Sequence, residues 1–271
     1  LLQIRDMGLT GVRTDMPPQA SDDLVGAILR PFVGAGLAPL ILLHGEVLDG
    51  LALSAQAVRV VAQAQALGLT IEIELANEPD LAGVDPRMMA ERCSAAWLAL
   101  RSAGFEGVIY GGSAMNLHKN GLAYLEAMDW SRLPSDLAVA VHRYAPRNTP
   151  GASHLQSLQH EIVAAMEVTG RITPPAITEM GYHTAVQTRT FWPPRRAFRL
   201  TDEQAAAAIV ADLRAYAGWG VPRVDVFQIN CGVPTSDTDY EALYGVRSAP
   251  DETTGIRTWL PQAFALAEMD A

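Results

Sequence analysis

Ile71-Glu72-Ile73-Glu74-Leu75-Ala76-Asn77-Glu78-Pro79-Asp80 alternates apolar and acidic side chains for five positions and then closes on Asn-Glu-Pro. Alternation with period two is the mark of a strand, and a proline removes a ladder donor, so the strand ends here with Glu78 at its carboxyl end. A second apolar run, Pro175-Ala176-Ile177-Thr178-Glu179-Met180-Gly181, also delivers a glutamate at its end and stops at glycine. Two strand-end glutamates point to paired-carboxylate chemistry.

Working outward, the same unit recurs. Strands are expected at Gly11-Val12-Arg13-Thr14-Asp15, at Pro39-Leu40-Ile41-Leu42-Leu43-His44-Gly45, at Gly107-Val108-Ile109-Tyr110-Gly111-Gly112, at Leu137-Ala138-Val139-Ala140-Val141-His142 and at Arg223-Val224-Asp225-Val226-Phe227-Gln228-Ile229-Asn230. Between them lie helical stretches with start signals: Ser21 as an N-cap, Asp85-Pro86, and the capping box Thr201-Asp202-Glu203-Gln204. A further helix is expected over residues 54–67, and residues 182–200 read as a long connection holding Phe191-Trp192. Strand followed by helix at a spacing of roughly 25–40 residues suits right-handed βα units around a parallel sheet. A barrel is favoured over an open sheet because every strand end carries a polar group and no Gly-rich phosphate loop marks a switch point. Seven strands are legible. Residues 1–7 read as the tail of a helix stopped by Gly8, so the expected fold is a (β/α)8 TIM barrel whose first strand lies upstream of Leu1.

At 271 residues, residues 1–271 read as one barrel domain. With 49% hydrophobic and 18% charged residues the chain buries a large core. A formal charge of −10 with a single lysine, Lys119, excludes a nucleic-acid partner, which needs clustered cations to neutralise phosphates. No run of about 18 apolar residues is present, so no membrane span is expected. Cys93 and Cys231 stand far apart, which gives neither a disulfide framework nor a metal-type spacing.

In a parallel barrel all strand carboxyl ends open on one face, where Arg13, His44, Asn77, Glu78, His142, Tyr144, Glu179, Gln228 and Asn230 converge. Asn77-Glu78-Pro79 and Thr178-Glu179, together with Gly11-Val12-Arg13, Leu43-His44-Gly45 and His142-Arg143-Tyr144, resemble the pattern of the clan A glycoside hydrolases, retaining (β/α)8-barrel enzymes that include the cellulase-like family 5. The resemblance spans the chain and implies cleavage of β-glycosidic bonds in a carbohydrate substrate, with Glu78 as acid/base and Glu179 as nucleophile and with no cofactor or metal. It further implies Asn77 as donor to the hydroxyl beside the anomeric carbon, and Arg13 and Tyr144 as donors that keep Glu179 ionised. His44, His142, Gln228, Asn230 and Trp192 join the expected substrate-binding set. Where the family carries a tryptophan at the end of strand eight, this chain has Phe227-Gln228-Ile229-Asn230.

Two other readings stand beside this one: a metal-dependent barrel isomerase or hydrolase with Glu78, Glu179, His44 and His142 as ligands, and a non-catalytic carbohydrate-binding barrel. Glu72, Glu74 and Asp225 read either as barrel-interior charges or as ordinary strand polar groups.

Overall fold

The computed structural model describes residues 1, 5, 10–144, 150–184, 187–189, 195–198, 200–227, 260–262 and 266. Their elements run β1 (Gly11–Asp15), α1 (Asp22–Ala35), β2 (Ala38–Leu42), α2 (Gly50–Ala66), β3 (Glu72–Glu74), α3 (Pro86–Ser102), β4 (Ile109–Ala114), α4 (Lys119–Ala127), β5 (Leu137–Tyr144), α5 (Ala152–Thr169), β6 (Ala176–Gly181), β7 (Gln187–Arg189), β8 (Arg195–Phe198), α6 (Asp202–Gly218) and β9 (Val224–Val226). Seven strands form one parallel sheet in the order β1-β2-β3-β4-β5-β6-β9. β1 pairs with β2 from Gly11 opposite Ala38 to Asp15 opposite Leu42.

The sheet curls into a nearly closed barrel, and a side-chain contact demonstrates it. Arg13 on β1 and Glu179 on β6 stand five places apart in the sheet order, about 24 Å in a flat sheet at roughly 4.8 Å per strand. Their side chains nevertheless meet at 2.5 Å. Among the described residues no ladder joins β1 to β9.

Helix starts follow their caps. Ser21 accepts from Leu24 N, Asp85 accepts from Arg87 N and Met88 N, and Thr201 with Gln204 closes a capping box. Gly36 ends α1 at a φ of 66°, a left-handed position where a Cβ costs energy. Helix α2 starts at Gly50 rather than at residue 54, because Asp49 accepts from Ala52 N and opens it one turn earlier. The connection over residues 182–200 carries an antiparallel hairpin, β7 with β8, that the sequence reading passed over. Of the helix expected over residues 1–7, only Leu1 and Arg5 are described; Arg5 is helical and its N–H donates to Leu1 O.

The main apolar core lies between the outer face of the sheet and the helices, with Ile41, Ile73, Ile109, Val141 and Ile177 facing Val60, Cys93, Leu158 and Ile209. Inside the barrel a smaller cluster of Leu40, Tyr110, Ala140 and Ala176 fills the middle. Above it, toward the strand carboxyl ends, the interior turns polar.

Two strands break register there. Pairing between β5 and β6 passes from Val141 opposite Ile177 to His142 opposite Glu179, so Thr178 is an extra residue on β6. On β4 the pairing skips Ser113, which has a φ of 39°. Each irregularity re-aims side chains toward the barrel axis, so the neighbours Thr178 and Glu179 both point inward.

The carboxyl ends of β2 and β3 approach closely through Gly45, whose N–H donates to Leu75 O at 2.7 Å. A Cβ at Gly45 would stand 2.4 Å from Leu75 O and 2.9 Å from Leu53 Cδ2. Gly45→Ala is therefore expected to destabilise the protein by about 1–3 kcal/mol through overpacking, read as a lower urea midpoint at unchanged slope.

Candidate active site

Arg13 is the hub of the carboxyl-end face. Its Nε donates to Glu74 Oε2 at 2.5 Å, one terminal nitrogen to Glu179 Oε1 at 2.5 Å, and the other to Asn77 Oδ1 at 2.9 Å. The second of these nitrogens also lies 3.3 Å from His142 Nε2. Tyr144, at the end of β5, donates its hydroxyl to the other oxygen of Glu179 at 2.7 Å. Glu179 is thus fastened at both oxygens, with 13% of its side chain exposed.

Glu78 lies four residues past the ladder of β3, since regular pairing ends at Glu74. It adopts a φ of 44°, and its N–H donates to Ser113 O at 3.0 Å. This left-handed backbone turns its carboxylate back over the barrel, where Oε1 meets His142 Nδ1 at 2.8 Å. A Glu78 oxygen, a Glu179 oxygen and a His142 nitrogen all lie within 4.8 Å of one another.

Beneath them is Glu74, with no exposed surface. Besides Arg13 it accepts from Ser113 Oγ at 2.9 Å and Thr178 Oγ1 at 2.7 Å, and its Oε1 lies 3.7 Å from His142 Nε2. Burial alone would push this carboxyl up; the Arg13 charge and the His142 ring outweigh it and hold Glu74 at about 2. Burial alone would push His142 down, but Glu74 at 3.7 Å, the hydrogen bond to Glu78 and the charge of Glu179 prevail over that and over Arg13. The ring is raised to about 9 and is an imidazolium at neutral pH.

The structure brings Arg13, Asn77, Glu78, His142, Tyr144 and Glu179 together. His44 stands one contact further out, at a φ of 56°, with Nδ1 2.8 Å from Glu46 Oε1. The other oxygen of Glu46 accepts from Asn77 N at 2.8 Å, so this carboxylate ties the β2 loop to the residue before Glu78. Gln228, Asn230 and Trp192 lie outside the described residues. The sequence reading missed Glu46, Ser113 and Thr178 and gave Glu74 no role; for Glu74 the signal was an acidic residue alternating into a strand otherwise buried.

Among the described residues, Glu78, His142 and Glu179 form one group with metal-ligand spacing, which His44 does not join. A cation there would face the Arg13 guanidinium, already 2.5 Å from Glu179, and would have to displace the proton from His142.

No protein-family model and no curated protein matches the chain. Solved structures do. The chain superposes with a TM-score of 0.68 on a family 39 glycoside hydrolase from the gut symbiont Bacteroides cellulosilyticus WH2, at 14% identity over 99% of this chain and 59% of that one. The fold is the TIM barrel that such glycoside hydrolases have. A fungal β-1,4-galactanase matches with a TM-score of 0.66 at 13% identity, over 98% of this chain and 89% of that one. The family 1 β-glucosidase from Thermotoga maritima matches with 0.65 at 12% identity, over 99% and 84%. This chain spans about three fifths of the family 39 hydrolase's length.

The ionisation of Glu74 and His142 sets a pH window for stability. His142 sits at about 9 against an ordinary 6.5, so its contribution is complete below 6.5 and is lost as pH rises through 9. Glu74 sits at about 2 against 4.5, so its contribution is complete above 4.5 and is lost as pH falls through 2. Either departure corresponds to roughly 3 kcal/mol, and the two share one interaction and do not add. Thermal midpoints across pH should form a plateau between 4.5 and 6.5 and fall on both sides. His142→Asn should flatten the alkaline fall and shrink the acid one to the part that Arg13 supplies.

Proposed function

We propose that the protein is a glycoside hydrolase that cleaves β-glycosidic bonds with retention, through a glycosyl intermediate on Glu179 and with Glu78 as acid/base. The observation that carries this reading is the pair of partly exposed carboxylates with oxygens within 4.8 Å of one another, at the carboxyl end of a barrel. Retaining pairs stand about 5–5.5 Å apart, whereas inverting pairs need about 6.5–9.5 Å to admit a water. The sharing of the fold with hydrolases named for β-1,4-galactan and β-glucoside substrates supports a β-linked sugar.

The two glutamates differ in their surroundings as the two roles require. Glu179 receives a guanidinium hydrogen bond on one oxygen and a phenol on the other, which fix its carboxyl group in place and aim it at the anomeric carbon. Among the described residues Glu78 meets one side-chain donor, His142, and its side chain is 21% exposed, so it can reach a leaving oxygen and exchange protons with water. In the first step Glu179 attacks the anomeric carbon while Glu78 protonates the departing oxygen. In the second, Glu78 takes a proton from a water that displaces Glu179, restoring both groups.

Arg13 also orients Asn77. By donating to Asn77 Oδ1 it leaves the amide N–H groups to donate outward, toward the sugar hydroxyl beside the reacting carbon. Such a bond strengthens as positive charge develops in the transition state.

Replacing each glutamate separates the roles. Glu179→Ala should abolish turnover of every glycoside, and azide should restore it with inverted product. Glu78→Ala should lose about 10²–10⁴-fold on poor leaving groups and far less on activated aryl glycosides. Rate series across leaving-group pKa, with the stereochemistry of the azide product, provide the check. Equal losses in both variants for every leaving group, without azide rescue, would remove the assignment.

A further inference from the structure

We propose that Glu74 is a positioning residue: its sealed negative charge locks Arg13 against Glu179 and holds the His142 ring as a charged donor to Glu78, so that one buried carboxylate sets the geometry of both reacting glutamates. The inference rests on the assignment of Glu78 and Glu179 made above.

Glu74 cannot act by touching a ligand, because it has no exposed surface. It acts through its neighbours. Oε2 takes Arg13 Nε, and Oε1 takes the hydroxyls of Ser113 and Thr178. Those two hydroxyls come from the residues at which β4 and β6 break register, so two separate backbone irregularities end on one carboxylate oxygen. Backbone strain of this kind persists only where the surroundings over-determine it.

The charge arrangement supplies the second line of argument. Four charged groups face His142: Arg13 from β1 at 3.3 Å, Glu74 from β3 at 3.7 Å, Glu78 from the loop after β3 at 2.8 Å, and Glu179 from β6 at 3.6 Å. When Glu78 carries its proton, as the first step requires, only Glu74 and Glu179 remain to balance Arg13 and His142. Neutralising Glu74 would then leave two cations against one anion in a buried setting, and the ring, unlike the guanidinium, can release its proton. Nδ1 would still reach Glu78, but as a neutral and weaker donor.

Glu74→Gln keeps the size of the side chain and removes its charge, and Glu74→Asp keeps the charge. In the wild-type protein, NMR titration should find His142 still protonated well above pH 7. In Glu74→Gln its titration should move down by about one pH unit or more, the alkaline limb of the kcat profile should move with it, and kcat should fall more than KM rises. Glu74→Asp should return the titration toward the wild-type value. A His142 that titrates at or below 6.5 in the wild-type protein overturns the proposal whether or not any variant folds. So does a Glu74→Gln titration equal to the wild type, or a kcat profile that stays in place while the ring shifts. The NMR arm needs no turnover: a protein inactive on glycosides whose His142 follows Glu74 would refute the proposed function and leave the charge coupling standing.

Discussion

The Arg13 guanidinium joins β1 to β3, β6 and the loop that follows β3, and the carboxyl-end face depends on it. Its nitrogens go to two carboxylates and an amide, with 11% of the side chain exposed. An ion pair so deeply placed is weak evidence for stability, since desolvation offsets much of the attraction, but breaking it strands an uncompensated charge and typically costs about 3–5 kcal/mol. What the arrangement provides is specificity of geometry. A planar fork holding two carboxylates fixes both, and lysine would not substitute, because a point charge sets no angles.

The backbone is deformed to meet that fork. β2, β3 and β4 are each followed or ended by a non-glycine residue in the left-handed region: His44 at 56°, Glu78 at 44° and Ser113 at 39°. Such residues cost on the order of 1–3 kcal/mol each. They brace one another, for Glu78 N–H donates to Ser113 O, and Asn77 N–H donates to the Glu46 carboxylate that also holds His44. The opposite face of the same strands is packed without exposure at Ile41, Ile73 and Ile109, which supplies the stability the rim spends.

Much of this was legible in the sequence because it rests on local rules. Alternation and the caps at Ser21, Asp85 and Thr201 depend on near neighbours in the chain, whereas β3 ends at Glu74, five residues before the proline expected to end it. The rest depends on partners far away. Glu74 alternates with isoleucine and leucine as a solvated strand residue would, and only the closure of the barrel, which brings Arg13 from 61 residues away, turns it into a buried charge. The extra residues Ser113 and Thr178 leave no period-two signature, because a bulge shifts the parity of a strand by one and both strands here are short. The helix expected from residue 54 begins at Gly50 because the Asp49 side chain caps α2. The hairpin of β7 and β8 is built from a polar, proline-interrupted stretch with little apolar alternation to betray it.

The acidic alternation of β3 explains why the barrel carries two charged layers. Glu72 faces the lower layer, where Arg223 Nη1 donates to it at 3.0 Å and Tyr110 donates to the same oxygen. The remaining nitrogens of Arg223 hold Asp225 at 2.6 and 2.8 Å, and Gly11 leaves room for the guanidinium, which would lie 3.2 Å from a Cβ there. There one arginine binds both carboxylates. Glu74, two residues on, faces the upper layer, where Arg13 is shared between a sealed carboxylate and a partly exposed one, and Glu78 is left to a histidine. The two layers thus differ in how their cations are distributed, and β3 contributes an anchor to each.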